Sequence, residues 1–270
     1  MRSWDTTTAD YERSFGALCA GTIERILEDA EGPRLLDVGC GTGELAARAV
    51  ARGSQVVAVD PAPSMVRRAR EVIDAAAAAG GPGAGEVREA ELPDLPFADA
   101  AFDAVVANFV VNHVPRPLDA MREIARLLRP GGTATTTIWP AGGGGWQELV
   151  GGAFAAAEVV APPSTRLPAD LDFARTPRGL ADLAERAGLR VVLSEELHWT
   201  WEVGVEDLWA GIAGGIATPG QTYLAQTLQV RRRVEEEYRR RAAGLAGDDG
   251  LLRFASTAVR TLARAPHGGA

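Results

Sequence analysis

The chain has 270 residues, 46% of them hydrophobic, and 28 basic against 36 acidic side chains give a formal net charge of −8. That length can bury a substantial core within one domain, and the acidic balance argues against a nucleic-acid backbone as partner. Lysine is absent, and two isolated cysteines, Cys19 and Cys40, make neither a disulfide framework nor a metal site. The opening Met1-Arg2-Ser3-Trp4-Asp5-Thr6 lacks an apolar signal core, and no stretch reaches membrane-spanning length free of charges. A cytoplasmic protein without membrane contact is the expectation. From Tyr11 to Leu27, Phe15, Leu18, Thr22, Ile23, Ile26 and Leu27 recur near helical spacing, so one helix is predicted, ended by Gly32-Pro33. Strand one follows at about 34–38, a helix at 44–52 and strand two at 55–60. Ser64 to Ala79 reads as a helix halted by Gly80-Gly81-Pro82-Gly83. A short strand three is expected near 86–90 and strand four at 102–108. The next helix has Leu118, Met121, Ile124, Ala125 and Leu128 on one face, and Thr133 to Ile138 forms strand five. Strands alternating with helices over short connections predict a doubly wound parallel sheet.

After strand five the rhythm changes. Four glycines, Gly142 to Gly145, lead into a helical stretch from Trp146 to Val160. Residues 161–175, with Pro162, Pro163 and Pro168, read as an irregular loop, and Pro177 to Ala187 as a helix. Leu189–Trp201 and Leu251–Leu262 read as long strands separated by a largely helical stretch, 204–247. Within that stretch Arg231–Arg233, Glu235–Glu237 and Arg239–Arg241 repeat Glu-to-Arg pairs four apart, the pattern of a solvated helix face. Gly211, Gly214, Gly215 and Pro219-Gly220 near one end, with Gly244 and Gly247 at the other, read as hinges.

The chemistry concentrates in Leu35-Leu36-Asp37-Val38-Gly39-Cys40-Gly41-Thr42-Gly43-Glu44. An apolar run ends at an acid, breaks into Gly-x-Gly-x-Gly and resumes as a helix. Glycines there let a ligand approach the main chain, and the helix N-terminus offers free N–H groups. Seventeen residues after Gly43, the run Val56-Val57-Ala58-Val59 ends at Asp60, whose carboxylate can accept from two vicinal ribose hydroxyls. The dinucleotide fingerprint is Gly-x-Gly-x-x-Gly. Here the third glycine comes one residue early, and Glu44 in its place would repel a pyrophosphate.

Asp37-Val38-Gly39-Cys40-Gly41-Thr42-Gly43 resembles motif I of the class I S-adenosylmethionine-dependent methyltransferases, of the small-molecule type found in ubiquinone and menaquinone biosynthesis. Further segments follow in that family's order: Glu89 to Phe97 resembles the adenine segment after strand three, Phe102 to Asn108 strand four, Val110 to Pro117 the loop after it, and Arg129-Pro130-Gly131-Gly132 the turn into strand five. The similarity spans residues 31–140. It implies an α/β fold: a doubly wound, Rossmann-like sheet of seven strands, mostly parallel with an antiparallel last strand, plus a helical lid. A single domain, 1–270, is expected. Residues 1–30 form an N-terminal helical cap, 31–140 the cofactor core, and 141–188 the substrate-side helices and loop. Residues 189–262 form a terminal hairpin carrying the lid insertion 204–247.

The resemblance also implies S-adenosyl-L-methionine as cofactor, with S-adenosyl-L-homocysteine as product. The implied contacts are Asp37, Gly39, Cys40, Gly41, Gly43, Asp60, Pro61, Met65, Glu91, Leu92 and Asn108. The family usually has Asp where Glu91 stands. Tyr11, His113, Trp139 and Trp209 are the candidates for the acceptor side. His113 is either a general base or a histidine packed over the cofactor, and His198 alternates away from Trp199 and Trp201. Asn108-Phe109-Val110-Val111 lacks the Pro-Pro-aromatic motif of amino-methylating nucleic-acid enzymes, and no acidic cluster calls for a metal. The expected partner is a small-molecule methyl acceptor, with the protein a monomer or homodimer. A cyclisation or rearrangement in the same fold, a non-catalytic binding subunit and an NAD-linked oxidoreductase are the alternatives, the last opposed by the glycine spacing.

Overall fold

The computed structural model describes residues 8–142, 144–163 and 167–267. Trp4, Gly143 and the part of the proline loop at 164–166 lie outside the described residues. The chain opens with α1 (Thr8–Tyr11), a π-helical turn (Glu12–Gly16), α2 (Ala17–Ala20) and α3 (Ile23–Asp29). The single helix predicted over Tyr11 to Leu27 is therefore broken twice. The Ser14 hydroxyl bonds back toward the Asp10 carbonyl where the turn widens, and the chain bends at Gly21-Thr22, where the Thr22 hydroxyl reaches the Asn108 side chain at 2.8 Å. A local back-bond at Ser14 and a tertiary bond at Thr22 mark the two interruptions.

β1 (Arg34–Val38), α4 (Glu44–Ala51), β2 (Gln55–Asp60), α5 (Pro63–Ala78), β3 (Ala84–Glu89), β4 (Phe102–Asn108), α6 (Pro117–Leu127) and β5 (Leu128–Ile138) follow. Then come α7 (Gly145–Ala156), α8 (Pro177–Arg186), β6 (Arg190–Gly204), α9 (Val205–Ala213), α10 (Ala217–Leu224), α11 (Leu228–Ala243) and β7 (Leu251–Arg264). The seven strands form one sheet in the order β3-β2-β1-β4-β5-β7-β6. β1 to β5 run parallel, and β7 inserts antiparallel between β5 and β6. This is the Rossmann-like sheet with an antiparallel last strand that the motif order implies. No helix among the described residues is long and apolar enough to cross a membrane.

Burial explains the central strands. Phe102 to Ala107 of β4 are all buried, because helices cover both faces of the sheet. Leu36, Val38 and Val105 pack with Met121 and Ile124 of α6 and with Leu180 and Leu183 of α8. On the other face Leu35, Ala104 and Val106 meet Ile26 of α3, Leu45 and Val50 of α4, and Ile73 of α5.

A second core lies outside this sandwich. β5 pairs with β7 only as far as Ile138 opposite Val259. β6 and β7 stay paired down to Gly204 opposite Leu251. The excess length projects past the carboxyl ends of the parallel strands as a two-stranded ribbon. Trp201 and Val203 on β6, with Leu252 and Phe254 on β7, are buried on one of its faces, while His198, Thr200 and Glu202 are exposed, as period-2 alternation predicts. α7, α9, α10, α11 and Phe15 of the π turn cover that face. Each buried aromatic or branched side chain there contributes roughly 1.5–3 kcal/mol.

The glycines of the helical insertion serve packing. A Cβ on Gly211 would lie 2.5 Å from the Ser14 hydroxyl oxygen, one on Gly214 would lie 2.7 Å from an Asp10 carboxylate oxygen, and one on Gly220 would lie 2.5 Å from the Gly215 carbonyl carbon. At these three positions the missing side chain makes room for close neighbours.

Behind the N-terminal segment a buried ion pair ties α3 to the sheet. Arg260 of β7 is wholly buried. Its Nε lies 3.5 Å from Asp29 Oδ2 and its second guanidinium nitrogen 3.3 Å from Glu195 Oε1. Asp29 also accepts from the Thr135 hydroxyl at 3.3 Å. Burial raises the Asp29 pKa, and Arg260 pulls it back down. Arg260→Ala should strand a buried carboxylate and cost about 3–5 kcal/mol in urea unfolding, with much of the loss recovered in the double variant D29N/R260M. A single-variant loss below about 1 kcal/mol would show that the pair does not hold α3.

Candidate functional site

Asp37, next to the last residue of β1, is buried, and the chain then turns through three glycines with positive φ, Gly39 at 66°, Gly41 at 54° and Gly43 at 88°. Two of these positions also lack room for a side chain. A Cβ on Gly39 would lie 2.5 Å from Val110 Cγ2, and one on Gly43 would lie 2.8 Å from the Ala69 Cα on α5. β2 supports the turn from below. Cys40 N–H donates to the Val59 carbonyl at 2.9 Å. Asp60 accepts from Gly41 N–H at 3.0 Å with one carboxylate oxygen and from Ala62 N–H at 2.9 Å with the other.

The two acids at the strand ends are unequally satisfied. Burial raises the Asp60 pKa and the Glu91 charge adds to that, while its two N–H bonds oppose the rise. Asp37 has a buried oxygen, Oδ2, with no hydrogen-bond partner. Burial, reinforced by the Asp60 charge and opposed by the Ala46 backbone N–H, pushes its pKa up to about 7. A buried, unpartnered carboxylate oxygen is costly in the protein alone and is a ready acceptor for a cationic or hydrogen-bond-donating group.

Asp37 borders a crevice of about 450 Å³, and Asp60 lies beneath the glycine turn outside its lining. Of the predicted cofactor residues, Asp37, Gly39, Cys40 and Asn108 line it. Gly41 lies at its edge beneath the Tyr11 ring, its notional Cβ 3.7 Å from Tyr11 Cε1. Gly43 caps α4. Asp60, Pro61, Glu91 and Leu92 sit around the ends of β2 and β3, with Glu91 exposed and Leu92 buried. Met65 is buried on α5.

The opposite wall is the N-terminal segment. Tyr11, Glu12, Gly16, Ala17, Cys19 and Ala20 all face the crevice. Tyr11 was expected on the acceptor side, and the structure places it here. Burial and the neighbouring Cys19, Asp60 and Cys40 hold its phenol well above the ordinary value of 10. Burial likewise pushes the Cys19 thiol up to about 12, against the Tyr11 hydrogen bond. Apart from Tyr11, these wall residues were missed. Their one signal is the small-residue run Gly16-Ala17-Leu18-Cys19-Ala20-Gly21, which leaves room beside a backbone.

At the end of β4, Asn108 uses its amide within the protein. It accepts from Thr137 and Thr22 and donates to the Cys19 carbonyl. Phe109 then adopts a left-handed conformation, φ 59°, rare for an aromatic residue. Its ring stacks on Trp139 at 3.8 Å between centroids, and Trp199 follows at 6.2 Å from Trp139. His113 lies on the loop beyond, 3.1 Å from the Asn112 amide nitrogen. Desolvation of the ring, and then the Arg175 charge, lower its pKa from 6.5, although the residue remains exposed to solvent. Trp209 is separate from this group. It packs in the second core against Tyr223 and Tyr238, at 5.2 and 4.9 Å, because α9 turns it away from the crevice. Among the described residues no group of three or more His, Cys, Asp or Glu could hold a metal ion.

A family model described as "Methyltransferase domain" matches residues 36–136. A protein from Mycobacterium marinum named "Uncharacterized methyltransferase" is 34% identical over 212 residues, covering 71% of this chain and 80% of that one. A demethylmenaquinone methyltransferase from Clavibacter sepedonicus is 32% identical over 136 residues, 48% of this chain and 53% of its own. Among solved structures, the [4+2]-cyclase SpnF superposes with a TM-score of 0.56 at 24% identity, over 91% of this chain and 81% of that one. The last of these is a likeness of fold.

The Asp37 carboxyl makes stability depend on pH. Its folded pKa of about 7 lies above the unfolded value of 3.8, so the folded state binds more protons between those values. Stability is full below about pH 4 and is lost as the pH rises through 7. Asp37→Asn should therefore unfold like the parent near pH 4, and at pH 8 it should be more stable by roughly 2–4 kcal/mol, measured by denaturant titration without ligand. Equal stabilities at pH 8 would mean that Asp37 stays ionised at little cost.

Proposed function

The chain belongs to the methyltransferase family, and on that premise we propose that it uses S-adenosylmethionine to methylate a small or medium-sized organic metabolite at O, N or C. The proposal includes a cytoplasmic setting, a monomer or homodimer, and no nucleic-acid or membrane partner. The observation that carries it is the unpartnered Asp37 oxygen buried beside the glycine turn.

The residues fit that cofactor. Asp37 offers an acceptor to an ammonium head, and a cation there would restore its charged form. Gly39 to Gly43 leave the main chain open to close approach. Asp60 spends one lone pair per oxygen on Gly41 and Ala62, which leaves acceptor capacity for two ribose hydroxyls. Pro61, Met65, Glu91 and Leu92 are assigned to the adenine end. When bound, S-adenosylmethionine supplies a methyl group already activated on a sulfonium.

The chain's own task is then to hold an acceptor in line and exclude water, and good positioning is worth about 7–11 kcal/mol. Tyr11 and the N-terminal segment close one side. Trp139, stacked on Phe109, gives a flat apolar surface at the end of β5. His113, kept neutral by its surroundings, can take a proton from an acceptor that still holds one. Trp209 supports the cap from within its core and is not assigned to the acceptor.

Calorimetry with S-adenosylhomocysteine, S-adenosylmethionine and NAD tests the cofactor. The first two should bind and NAD should not, and tighter binding of NAD would overturn the proposal. Release of S-adenosylhomocysteine during turnover separates methyl transfer from a rearrangement that leaves the cofactor intact. Asp60→Ala should lower affinity at least tenfold, since each hydrogen bond to a charged group is worth about 1.5–3 kcal/mol. An unchanged dissociation constant would remove the ribose role.

A further inference from the structure

We propose that Asn108 is a positioning residue, whose side-chain amide fastens the N-terminal segment, residues 8–22, in place as the movable wall of the crevice. The inference rests on the cofactor assignment above and gives Asn108 a different task from ligand contact. Oδ1 accepts from the Thr137 hydroxyl at 2.6 Å and from the Thr22 hydroxyl at 2.8 Å. Nδ2 donates to the Cys19 carbonyl at 3.1 Å. Both lone pairs of the oxygen and one of the two amide protons are thereby used. Thr137 in turn accepts from Phe109 N–H at 2.9 Å, so the end of β4, the end of β5 and the turn at Cys19–Thr22 meet in one small network. Thr22 is fully buried, where a hydrogen bond cannot be exchanged for water without cost.

The segment needs such a fastening. Its helical run, Thr8 to Ala20 with a π turn inside it, is anchored in the middle by the buried Phe15 and Leu18, which leaves its two ends to other contacts. At its outer end Arg68 pairs with Glu12 at 2.7 Å, with both side chains partly exposed, a contact of small net worth. At its inner end the Gly21 backbone lies directly on the Trp199 indole, where a Cβ would come within 2.2 Å of Nε1. The segment also abuts α9 through Ser14 and Gly211. Cys19, Ala20 and Asn108 line the crevice and Thr22 does not, while the Asn108 amide is engaged by Cys19, Thr22 and Thr137. Losing the amide network frees the wall at its better-held end, and with it Tyr11 above Gly41.

Thr22→Val is the discriminating variant, because it removes the hydroxyl that reaches Asn108 and also lies 3.0 Å from the Cys19 carbonyl, without altering a crevice-lining side chain. Hydrogen exchange of residues 8–22 in the protein alone should rise at least tenfold. Dissociation of S-adenosylhomocysteine, followed by stopped-flow, should accelerate at least fivefold. Exchange within β1 and β4 should stay unchanged, and Thr22→Ser should restore both values. Asn108→Asp keeps the acceptor for Thr22 and Thr137 but sets an oxygen against the Cys19 carbonyl. It should loosen the same residues and serves as the second variant if Thr22→Val folds poorly. If both variants exchange like the parent, the proposal is overturned. It is equally overturned if Asn108→Ala weakens binding while Thr22→Val leaves exchange and dissociation unchanged, since Asn108 is then a ligand contact. If the parent fails to bind S-adenosylhomocysteine, the cofactor assignment falls, and exchange in the protein alone still decides the fastening.

Discussion

Two carboxylates end adjacent parallel strands, and their different environments shape the crevice around them. Asp60 is held by the N–H groups of Gly41 and Ala62, so its position defines the glycine turn from beneath. Asp37 keeps one buried oxygen without a partner. A chain selected for stability alone would put an apolar or neutral residue there, since an isolated buried acid weakens the fold. The glycines follow from the same constraint. The turn must rise over Asp60, pass under Val110 and pack on Ala69, and the last two approaches leave no room for a Cβ at Gly39 or Gly43.

The length of β6 and β7 decides what stands over that turn. Because they outrun β5, their ribbon carries Trp199, Trp201 and Phe254 beyond the carboxyl edge of the sheet. That apolar face is covered by α7, α9 to α11 and the N-terminal π turn. Phe15 packs against Trp146 and Trp201 at 5.0 and 5.9 Å, so the N-terminal segment and the helical insertion share one core.

Several features were legible because a local pattern implies them. The acid-glycine turn needs positive φ at its glycines, and all three have it. Trp199 and Trp201 alternate with His198 and Glu202, and the ribbon turns one set inward, Trp201 buried and Trp199 partly so, and exposes the other. The Glu and Arg repeat of α11 does form pairs four apart along the helix, Arg239 with Glu235 at 3.1 Å and Arg241 with Glu237 at 3.6 Å. Other features left no local trace. Nothing around Arg260 marks it as wholly buried, since its partners Asp29 and Glu195 come from distant segments. Gly211 and Gly214 carry no local mark of the Ser14 and Asp10 side chains that pack against them.

The sequence by itself determined the sheet, the position of the glycine turn and the two acids beside it. Each depends on hydrophobic period, on a backbone angle open mainly to glycine, or on the fixed distance between consecutive strand ends. Only the tertiary structure decided that Tyr11 stands over Gly41, that Trp209 belongs to the core of the cap, and that the Asn108 amide joins Cys19, Thr22 and Thr137. Those contacts link residues up to 89 positions apart. Side chains so far separated meet only after the sheet and ribbon have set the frame, and a polar group that could bind a ligand can also bond to the protein. Which of the two it does is a matter of which partner arrives within about 3 Å.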